Sequence, residues 1–348
     1  MKIDNFEIGK NKTFIIAEVS ANHNQDYAVA KSMIKAAKDA GADAVKLQTY
    51  TADTMTLDVD NEYFTIKQDT IWDGRNLHDL YKEAYTPWEW QPKLKKYADK
   101  LGIILFSTPF DKTSVDFLES MDVSAYKIAS FEITDLPLIR YVAKKQKPII
   151  ISTGIASLED IEEAVKVCRD EDNEQIILLK CTSAYPASLE DANLLTMRDM
   201  KDRFGVDIGF SDHTLGITAP ITAVALGAKV IEKHFILNKA MGGVDSKFSL
   251  DIDEFKEMVT AVRDTEKLLG KISYEMTAKK LKSREFSRSL FVTEDIKKGE
   301  IFTEKNIRII RPAFGLAPKY IDKVLGKTAD KDYTRGTPLI TLPNEEKQ

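Results

Sequence analysis

Two histidines occupy similar settings, one in "GFSDHTLG" and the other in "VIEKHF". Both His213 and His234 end a short apolar run, and the chain has only four histidines in all. If the two runs are neighbouring parallel strands, the imidazoles converge at one point, where a divalent metal ion can bind. Two histidine ligands leave positions open for substrate, which favours a catalytic ion over a closed structural site. Manganese, magnesium, cobalt and zinc all suit such ligands, whereas a lone histidine would more simply be a packed core or loop residue.

The other two histidines are weaker candidates. His23, in "SANHNQD", follows the first apolar run and is a further candidate for the same place. His78 lies in an insertion, and we expect it at the surface.

Two lysines stand where the pattern otherwise indicates core. Lys46 in "AVKLQTY" and Lys127 in "AYKIAS" have apolar neighbours on both sides. A lysine on an edge strand reaches solvent, but a lysine inside a closed sheet is costly unless it is paired. Glu18, which ends "FIIAE", is either the buried partner of one of these lysines or a group that handles protons. Lys180 has no assigned role, because it is out of phase with Ser183.

Hydroxyl side chains end several other runs. Ser152 and Ser211 could each be simple strand terminators, but polar groups recur at every one of the eight run ends. Together with the lysines, these hydroxyls predict a receptor for a small anionic ligand that carries phosphate and carboxylate groups. A metal ion nearby would polarise the carbonyl of a second substrate, so the inventory favours carbon–carbon bond formation between an enol and an aldehyde.

The elements that position these residues repeat along the chain. Eight runs rich in β-branched residues alternate with stretches of helical period: "FIIAEVS", "AVKLQTY", "IILFSTPF", "AYKIAS", "PIIISTG", "QIILLKCTS", "VDIGFSDH" and "KVIEKHFIL". Eight such units predict an α/β fold, a (β/α)8 TIM barrel over residues 1–270, whose typical length is ~250 residues. An open, mostly parallel sheet is the alternative. In a barrel, the polar run ends would meet at the carboxyl-terminal mouth.

The alternation stops near residue 270. We predict a polar linker over 271–284 and a small, mostly β domain over 285–348. A domain of this size buries little core of its own, so we expect it to pack against the barrel or against another subunit.

Composition excludes several classes of function. The formal net charge is −5, and the basic residues are scattered, which argues against a nucleic-acid partner. No apolar run approaches the ~20 residues that cross a bilayer, and the opening segment lacks the features of a signal peptide. We therefore expect a cytoplasmic protein without a membrane partner. Cys168 and Cys181 lack the spacing of a disulfide framework or a zinc site, and we expect both to be reduced and buried.

A set of motifs carries a family resemblance. "IAEVSANHNQD", "AVKLQTY", "STPF", "YKIAS", "STG", "CTSAYP", "GFSDHTLG", "IEKHF" and "GGVDSKFSL" occur in an order and spacing that resemble the sialic acid synthase family. Members of that family condense phosphoenolpyruvate with an amino sugar. The tail "SRSLFVTEDIKKGEIFTEKNIRIIRP" resembles the antifreeze-like (SAF) domain that the family carries. "LYKEAYTPWEW" and "GGVDS" look most like the pseudaminic acid synthase branch.

The resemblance implies roles for particular residues. His213 and His234 would bind a divalent metal ion, Mn²⁺, Mg²⁺ or Co²⁺, and Glu18 would handle protons. Phosphoenolpyruvate would be bound by Lys46, Thr108, Lys127, Ser130, Ser152, Ser183 and Ser211. The amino sugar would be bound by Gln48, Glu132, Tyr185, Asp245 and, across a domain-swapped homodimer, Arg311. Ser183 departs from the sialic acid branch, which has Asn in this segment, and a hydroxyl cannot supply both the donor and the acceptor of an amide.

The branch implies a particular sugar, 2,4-diacetamido-2,4,6-trideoxy-altropyranose, and hence pseudaminic acid as the product. The alternatives are an N-acetylneuraminate or legionaminate synthase that uses N-acetylmannosamine or a related sugar, and a metal-dependent aldolase. A Schiff-base aldolase would use Lys127 as its nucleophile and need no metal. A non-catalytic binding protein would leave the polar strand ends unexplained.

Overall fold

The computed structural model describes residues 1–10, 12–67 and 72–343 and divides the chain into two units, Met1–Gly270 and Lys271–Gln348. The first unit is a closed barrel of eight parallel strands. In chain order the strands are β1 (Phe14–Glu18), β2 (Ala44–Thr49), β3 (Ile104–Pro109), β4 (Tyr126–Ile128), β5 (Ile149–Ser152), β6 (Ile176–Cys181), β7 (Asp207–Asp212) and β8 (Val230–His234). The predicted TIM barrel is therefore confirmed, and the open sheet is excluded. Lys2–Ile3 and Phe6–Glu7 form a short antiparallel hairpin before β1.

Helices follow the strands in the expected alternation. In the described part of the first unit they are α1 (Tyr27–Asp39), α2 (Ala52–Met55), α3 (Leu77–Ala84), α4 (Gln91–Leu101), α5 (Lys112–Ser120), α6 (Leu136–Ala143), α7 (Leu158–Asp170), α8 (Thr196–Phe204), α9 (Thr218–Ala225) and α10 (Ile252–Leu269). Short 3₁₀ turns cover Glu62–Phe64, Trp88–Trp90, Ser130–Glu132, Glu190–Ala192 and Lys239–Met241. The helices α2 and α3 belong to an insertion between β2 and α4, which the repeat pattern did not resolve.

Local sequence explains where the helices begin and end. Ser157 and Asp251 each form a capping box, in which the side chain accepts a hydrogen bond from the backbone N–H of the third helical residue and that residue's carboxylate accepts one from the backbone N–H of the cap residue. Gly102 ends α4 with a φ of 67°, in the left-handed region that favours glycine. These signals fix the lengths of the helices, and hence the points at which the following strands enter the barrel.

The apolar core surrounds and fills the barrel. Runs such as Ile149–Ile151 and Ile176–Leu179 are fully buried, as expected for parallel strands covered by helices on one side and packed lumen on the other. The barrel closes where β8 pairs with β1, which places His234 directly beside Glu18. Buried charged side chains therefore concentrate at the carboxyl-terminal ends of the strands.

The second unit contains helix α11 (Ala278–Arg284), strands β9 (Ser289–Val292) and β10 (Ile307–Ile310), a 3₁₀ turn at Pro318–Tyr320 and helix α12 (Ile321–Val324). The strands pair antiparallel, and isolated bridges such as Ile296 to Tyr333 extend the β structure. Leu290, Phe302 and Leu339 belong to a separate small core. Helix α11 lies within the segment 271–284, where the sequence predicts a linker. Among the described residues, no helix is long and apolar enough to cross a membrane.

Candidate active site

An ion cluster occupies the barrel mouth. Lys46 Nζ lies 2.8 Å from Glu18 Oε2 and 3.5 Å from Glu232 Oε1, and all three side chains are buried. Gln48 Nε2 donates to Glu18 Oε1 at 3.0 Å, and Ser211 Oγ donates to Glu232 Oε1 at 3.2 Å. The sequence left Glu18 as either a partner of a lysine or a proton carrier; its contact with Lys46 establishes the first without removing the second.

The two carboxylates of the cluster titrate differently. Burial raises the pKa of Glu18, and the neighbouring Glu232 raises it further, against the opposing effect of Lys46. Burial also acts to raise the pKa of Glu232, but Lys46 and Lys127 outweigh it and lower the pKa below its usual value. Two carboxylates whose pKa values are pushed apart suit a division into proton acceptor and permanent anion.

Lys127 is a buried cation of a different kind. Its Nζ donates to Ser152 Oγ at 2.7 Å and to the carbonyl of Ile128 at 2.9 Å. Burial lowers the pKa of Lys127, and the like charge of Lys46 adds to this effect. Among the described residues, no carboxylate forms an ion pair with Lys127. A cation that is held by neutral groups in a buried site is suited to bind an anion that arrives with the substrate.

The other hydroxyls of the predicted receptor have different partners. Thr108 Oγ1 accepts a hydrogen bond from Lys46 Nζ at 3.2 Å, and Ser130 Oγ accepts one from the backbone N–H of Gly154 at 3.0 Å. Ser183 Oγ has no hydrogen-bond partner in the described part of the chain. A Cβ added at Gly154 would lie 2.2 Å from Ser183 Oγ and 2.7 Å from Ser130 Oγ, so a side chain there would displace both hydroxyls.

The two histidines lie beside the ion cluster, with ring centroids 5.2 Å apart. His213 Nδ1 contacts the carbonyl of Thr182 at 2.9 Å, so in the neutral ring this nitrogen carries the proton and Nε2 keeps its lone pair. His234 Nδ1 is buried and finds no hydrogen-bond partner among the described residues; Asp245 Oδ2 lies 3.8 Å away. Both rings thus present a free nitrogen, as a divalent metal ion requires. Within the described ranges, no group of three or more His, Cys, Asp or Glu side chains is arranged to hold a metal ion.

Electrostatics distinguish the two rings. Burial lowers the pKa of His234 well below its usual value, and the neighbouring His213 lowers it further. Burial also acts to lower the pKa of His213, but Cys181, whose Sγ lies 3.7 Å from Nδ1, raises it on balance. The same contact lowers the pKa of the Cys181 thiol to about 7, although burial alone would raise it. At neutral pH the His234 ring is therefore uncharged.

Residues expected to bind the sugar lie on the side of the barrel mouth that holds the two histidines. The ring centroids of Tyr185 and His213 are 4.5 Å apart, and Phe248 packs edge-on against His234 at 4.8 Å. Burial raises the pKa of Asp245. Burial raises the pKa of Glu132 to about 7, and one of its carboxylate oxygens is buried without a hydrogen-bond partner among the described residues. Glu132 can therefore exchange a proton near neutral pH.

Two histidines differ from the expectations. Gln25 N–H donates to His23 Nδ1 at 3.1 Å, and His23 Nε2 contacts Thr86 Oγ1 at 2.9 Å, so neither ring nitrogen is available to the site. His78 is buried rather than exposed: it lies in the first turn of α3, and its Nε2 contacts Asp53 at 3.0 Å.

Arg311 belongs to the second unit, where it is exposed and lines an open groove with Met276, Lys280 and Phe286. Cys168 and Cys181 are free and buried, as expected. The sequence analysis did not single out Glu232, which lies near the end of β8. Its spacing of two from His234, which puts both side chains on one face of β8, is the signal that would have found it.

The fold and the site together define an enzyme, a (β/α)8 synthase of the transferase type with buried lysines, carboxylates and hydroxyls at the mouth of its barrel. The chain belongs to the NeuB family, whose model matches residues 33–274, and residues 287–340 match the SAF domain. The family resemblance of the motifs is thereby confirmed, and so is the antifreeze-like domain.

Named relatives cover almost the whole chain. A pseudaminic acid synthase of Campylobacter jejuni (strain 81-176) is 51% identical over 97% of this chain and 98% of its own length. An N,N'-diacetyllegionaminic acid synthase of the same species (strain NCTC 11168) is 41% identical over 92% of this chain and 97% of its own. The crystal structure of the N-acetylneuraminic acid synthetase from Leptospira borgpetersenii is 33% identical and superposes with a TM-score of 0.73, covering 81% of this chain and 94% of that one.

Proposed function

We propose that this chain condenses phosphoenolpyruvate with 2,4-diacetamido-2,4,6-trideoxy-altropyranose to give pseudaminic acid and phosphate, in a reaction that depends on a divalent metal ion. The observation that carries the proposal is the pair of buried lysines. Lys46 is neutralised by Glu18 and Glu232, whereas Lys127 is held by a hydroxyl and a carbonyl. A phosphate or carboxylate group beside Lys127 would complete a charge-assisted contact that the protein alone leaves open.

The hydroxyls extend this receptor. Ser152 already contacts Lys127, and Ser183 Oγ lacks a partner in the described part of the chain, so both can turn to a bound anion. The close approach of Gly154 to Ser130 and Ser183 leaves no room for a side chain, which keeps the space beside these hydroxyls open. We assign the space beside these hydroxyls to phosphoenolpyruvate.

Bond making and bond breaking follow from the two substrates. Carbon 3 of phosphoenolpyruvate attacks the aldehyde carbon of the open-chain sugar, and the former aldehyde oxygen gains a proton. Water adds to the oxocarbenium carbon that results, and phosphate leaves by C–O cleavage to give the ketone. We assign Glu18, with its raised pKa, to accept the proton of that water, and Glu132 to supply the proton of the new hydroxyl.

His213 and His234 would hold the divalent ion, through Nε2 of the neutral His213 ring and through His234 Nδ1, which has no hydrogen-bond partner among the described residues. Bound there, a divalent ion acts as a Lewis acid that polarises the sugar's carbonyl oxygen. Mn²⁺, Mg²⁺ and Co²⁺ all accept imidazole together with oxygen ligands and water. The low pKa of His234 keeps this ligand neutral at physiological pH.

The sugar is assigned from the relatives. The Campylobacter protein named for pseudaminic acid shares more of this chain's residues than the one named for N,N'-diacetyllegionaminic acid. Gln48, Glu132, Tyr185 and Asp245 would bind it, with the ring of Phe248 beside both histidines offering an apolar surface. The alternative product is legionaminic acid, formed from a sugar of different stereochemistry.

We also propose that the enzyme is a domain-swapped homodimer in which Arg311 serves the partner's barrel. The segment around α11 exposes large apolar side chains, including Ile272 at 93%, Tyr274 at 92% and Phe286 at 69%. Surfaces of this kind on a soluble chain are typical of interfaces. Arg311 is itself exposed and available to an anionic or amide-bearing ligand.

Phosphate release is the direct test. The enzyme would be incubated with phosphoenolpyruvate, Mn²⁺ and a panel of amino sugars: the proposed altropyranose, the legionaminic acid precursor and N-acetylmannosamine. We expect phosphate release to be fastest with the altropyranose, with the carbon skeleton of the product confirmed by mass spectrometry. A carbon–carbon bond formed from pyruvate without phosphate release would identify an aldolase instead, and preference for another sugar would overturn the assigned specificity.

A further inference from the structure

A buried ion pair lies immediately beside the two candidate metal ligands. Lys233 Nζ contacts Asp212 Oδ2 at 2.5 Å, and neither side chain is exposed to solvent. Asp212 directly precedes His213 in the chain, and Lys233 directly precedes His234. Because side chains alternate along a strand, the pair lies on the opposite side of β8 from Glu232 and His234. It is therefore outside the substrate side of the mouth and has no role in the proposed chemistry.

The pair also holds the backbone that follows His213. The N–H of Thr214 donates to Asp212 Oδ1 at 2.8 Å, and Lys233 Nζ donates to the carbonyl of Thr214. On its other side, the carbonyl of His213 accepts a hydrogen bond from Ala187 N–H at 3.0 Å. The peptide groups on either side of His213 are thus held by hydrogen bonds from β7, from β8 and from the loop that contains Ala187.

The barrel does not need this pair for strand pairing. Lys233 and Asp212 are register partners in the parallel ladder of β7 and β8, whose backbone hydrogen bonds form without charged side chains. The next positions around the barrel in the same register, Ala17 and Val45, are apolar and buried. A buried ion pair is often no more stabilising than apolar residues of similar volume. Its presence here therefore indicates that it serves to fix the local geometry.

We infer that Asp212 and Lys233 are positioning residues that fix the separation and orientation of the His213 and His234 rings for metal binding. The inference rests on the proposed metal dependence. Groups that orient metal ligands from outside the coordination sphere commonly change metal affinity by about 10- to 100-fold when they are removed. We expect an effect of this size, transmitted through the backbone of His213 and His234.

The experiment compares full-length variants after removal of metal. One is the double variant Asp212→Leu/Lys233→Met, which replaces the pair by apolar groups of similar size. A second is Asp212→Asn, which keeps the shape and the acceptor for Thr214 but removes the charge. The matched control is Arg263→Met, which breaks an ion pair between Arg263 and Asp43 that lies at the amino-terminal end of β2. Calorimetric titration with Mn²⁺ measures Kd, and thermal unfolding without metal measures stability.

We expect both pair variants to bind Mn²⁺ about 10- to 100-fold more weakly while they still unfold cooperatively, Asp212→Asn less severely than the double variant. Arg263→Met should lower the midpoint of unfolding and leave Kd unchanged. A folded pair variant with the wild-type Kd would overturn the positioning role. Asp212→Asn leaves Lys233 without its anion and is the more exposed of the two to unfolding, so if either variant fails to fold, the other decides the question in the same way. Failure of the wild type to bind Mn²⁺, Mg²⁺ or Co²⁺ would overturn the metal proposal, and this inference with it.

Discussion

Replacement of Lys127 by Met tests the anion receptor most sharply. The side chain is 1% exposed, and Met fills a similar volume without the charge. Because Lys127 has no carboxylate partner among the described residues, its removal leaves no orphaned carboxylate of its own, unlike the removal of Lys46, which would strand Glu18 and Glu232. Lys127→Met should therefore remain folded, and its defect should appear in binding.

The size of the defect follows from the burial of the contact. Removing one partner of a buried charge pair costs about 3–5 kcal/mol, which corresponds to a Kd for phosphoenolpyruvate raised roughly 150- to 5000-fold. Affinity for the sugar should change far less. Circular dichroism and thermal unfolding would establish that the variant is folded, and calorimetric titration with phosphoenolpyruvate would give the Kd.

Lys180→Met provides the matched control. Lys180 is a half-buried lysine on β6 whose Nζ donates to the carbonyl of Cys181 at 2.7 Å, and it alternates to the opposite side of the strand from Cys181. Its replacement should leave the affinity for phosphoenolpyruvate unchanged. An unchanged Kd in Lys127→Met as well, with the fold intact, would refute the receptor proposed for this side of the mouth.

Three further predictions concern the metal, the second unit and pH. His213→Ala and His234→Ala should each lose bound metal and metal-dependent turnover while keeping the wild-type circular dichroism spectrum; near-wild-type turnover in the presence of EDTA would contradict this. An inactive Arg311→Ala chain mixed with an inactive His234→Ala chain should regain about a quarter of wild-type activity after full subunit exchange, since one site in each mixed dimer is intact. No recovery after exchange confirmed by mass spectrometry would show that Arg311 does not act across a dimer. Because burial raises the pKa of Glu132 from 4.5 to about 7, the folded protein binds that proton more tightly than the unfolded chain, and stability should fall as pH rises from about 4.5 to 7. Relative to Glu132→Gln, we expect a loss of roughly 1–3 kcal/mol over this window in denaturant unfolding; parallel pH curves would count against the raised pKa.

Much of the fold could be predicted because the barrel repeats a local signal. Each strand is a short β-branched run followed by an amphipathic stretch, and both periods can be seen within a few residues. The polar residues at the strand ends were found for the same reason, and the structure gathers Glu18, Lys46 and Lys127 as the pattern predicts.

What could not be predicted depends on partners from distant parts of the chain. His23 looked available for the mouth, but Thr86, from the insertion between β2 and α4, contacts its Nε2. His78 looked exposed, but Asp53 and the start of α3 bury it. The roles of Glu232 and Lys233 required knowledge of the register between β7 and β8, which no single run of sequence reports.

The pairing of β8 with β1, the seam that closes the barrel, links ligand binding to the completion of folding. Glu18 and His234 are direct neighbours across this seam although they are far apart along the chain, so neither half of the polypeptide holds the assembled site. During synthesis, the chain acquires the means to bind either substrate only after the eighth strand has emerged and closed the ring. Bound ligands would then stabilise the closed barrel by mass action, and this stabilisation would be lost when the ligands are released. Separation of β8 from β1 and dissociation of the ligands should therefore be coupled. Resistance to proteolysis should rise when both substrates are present.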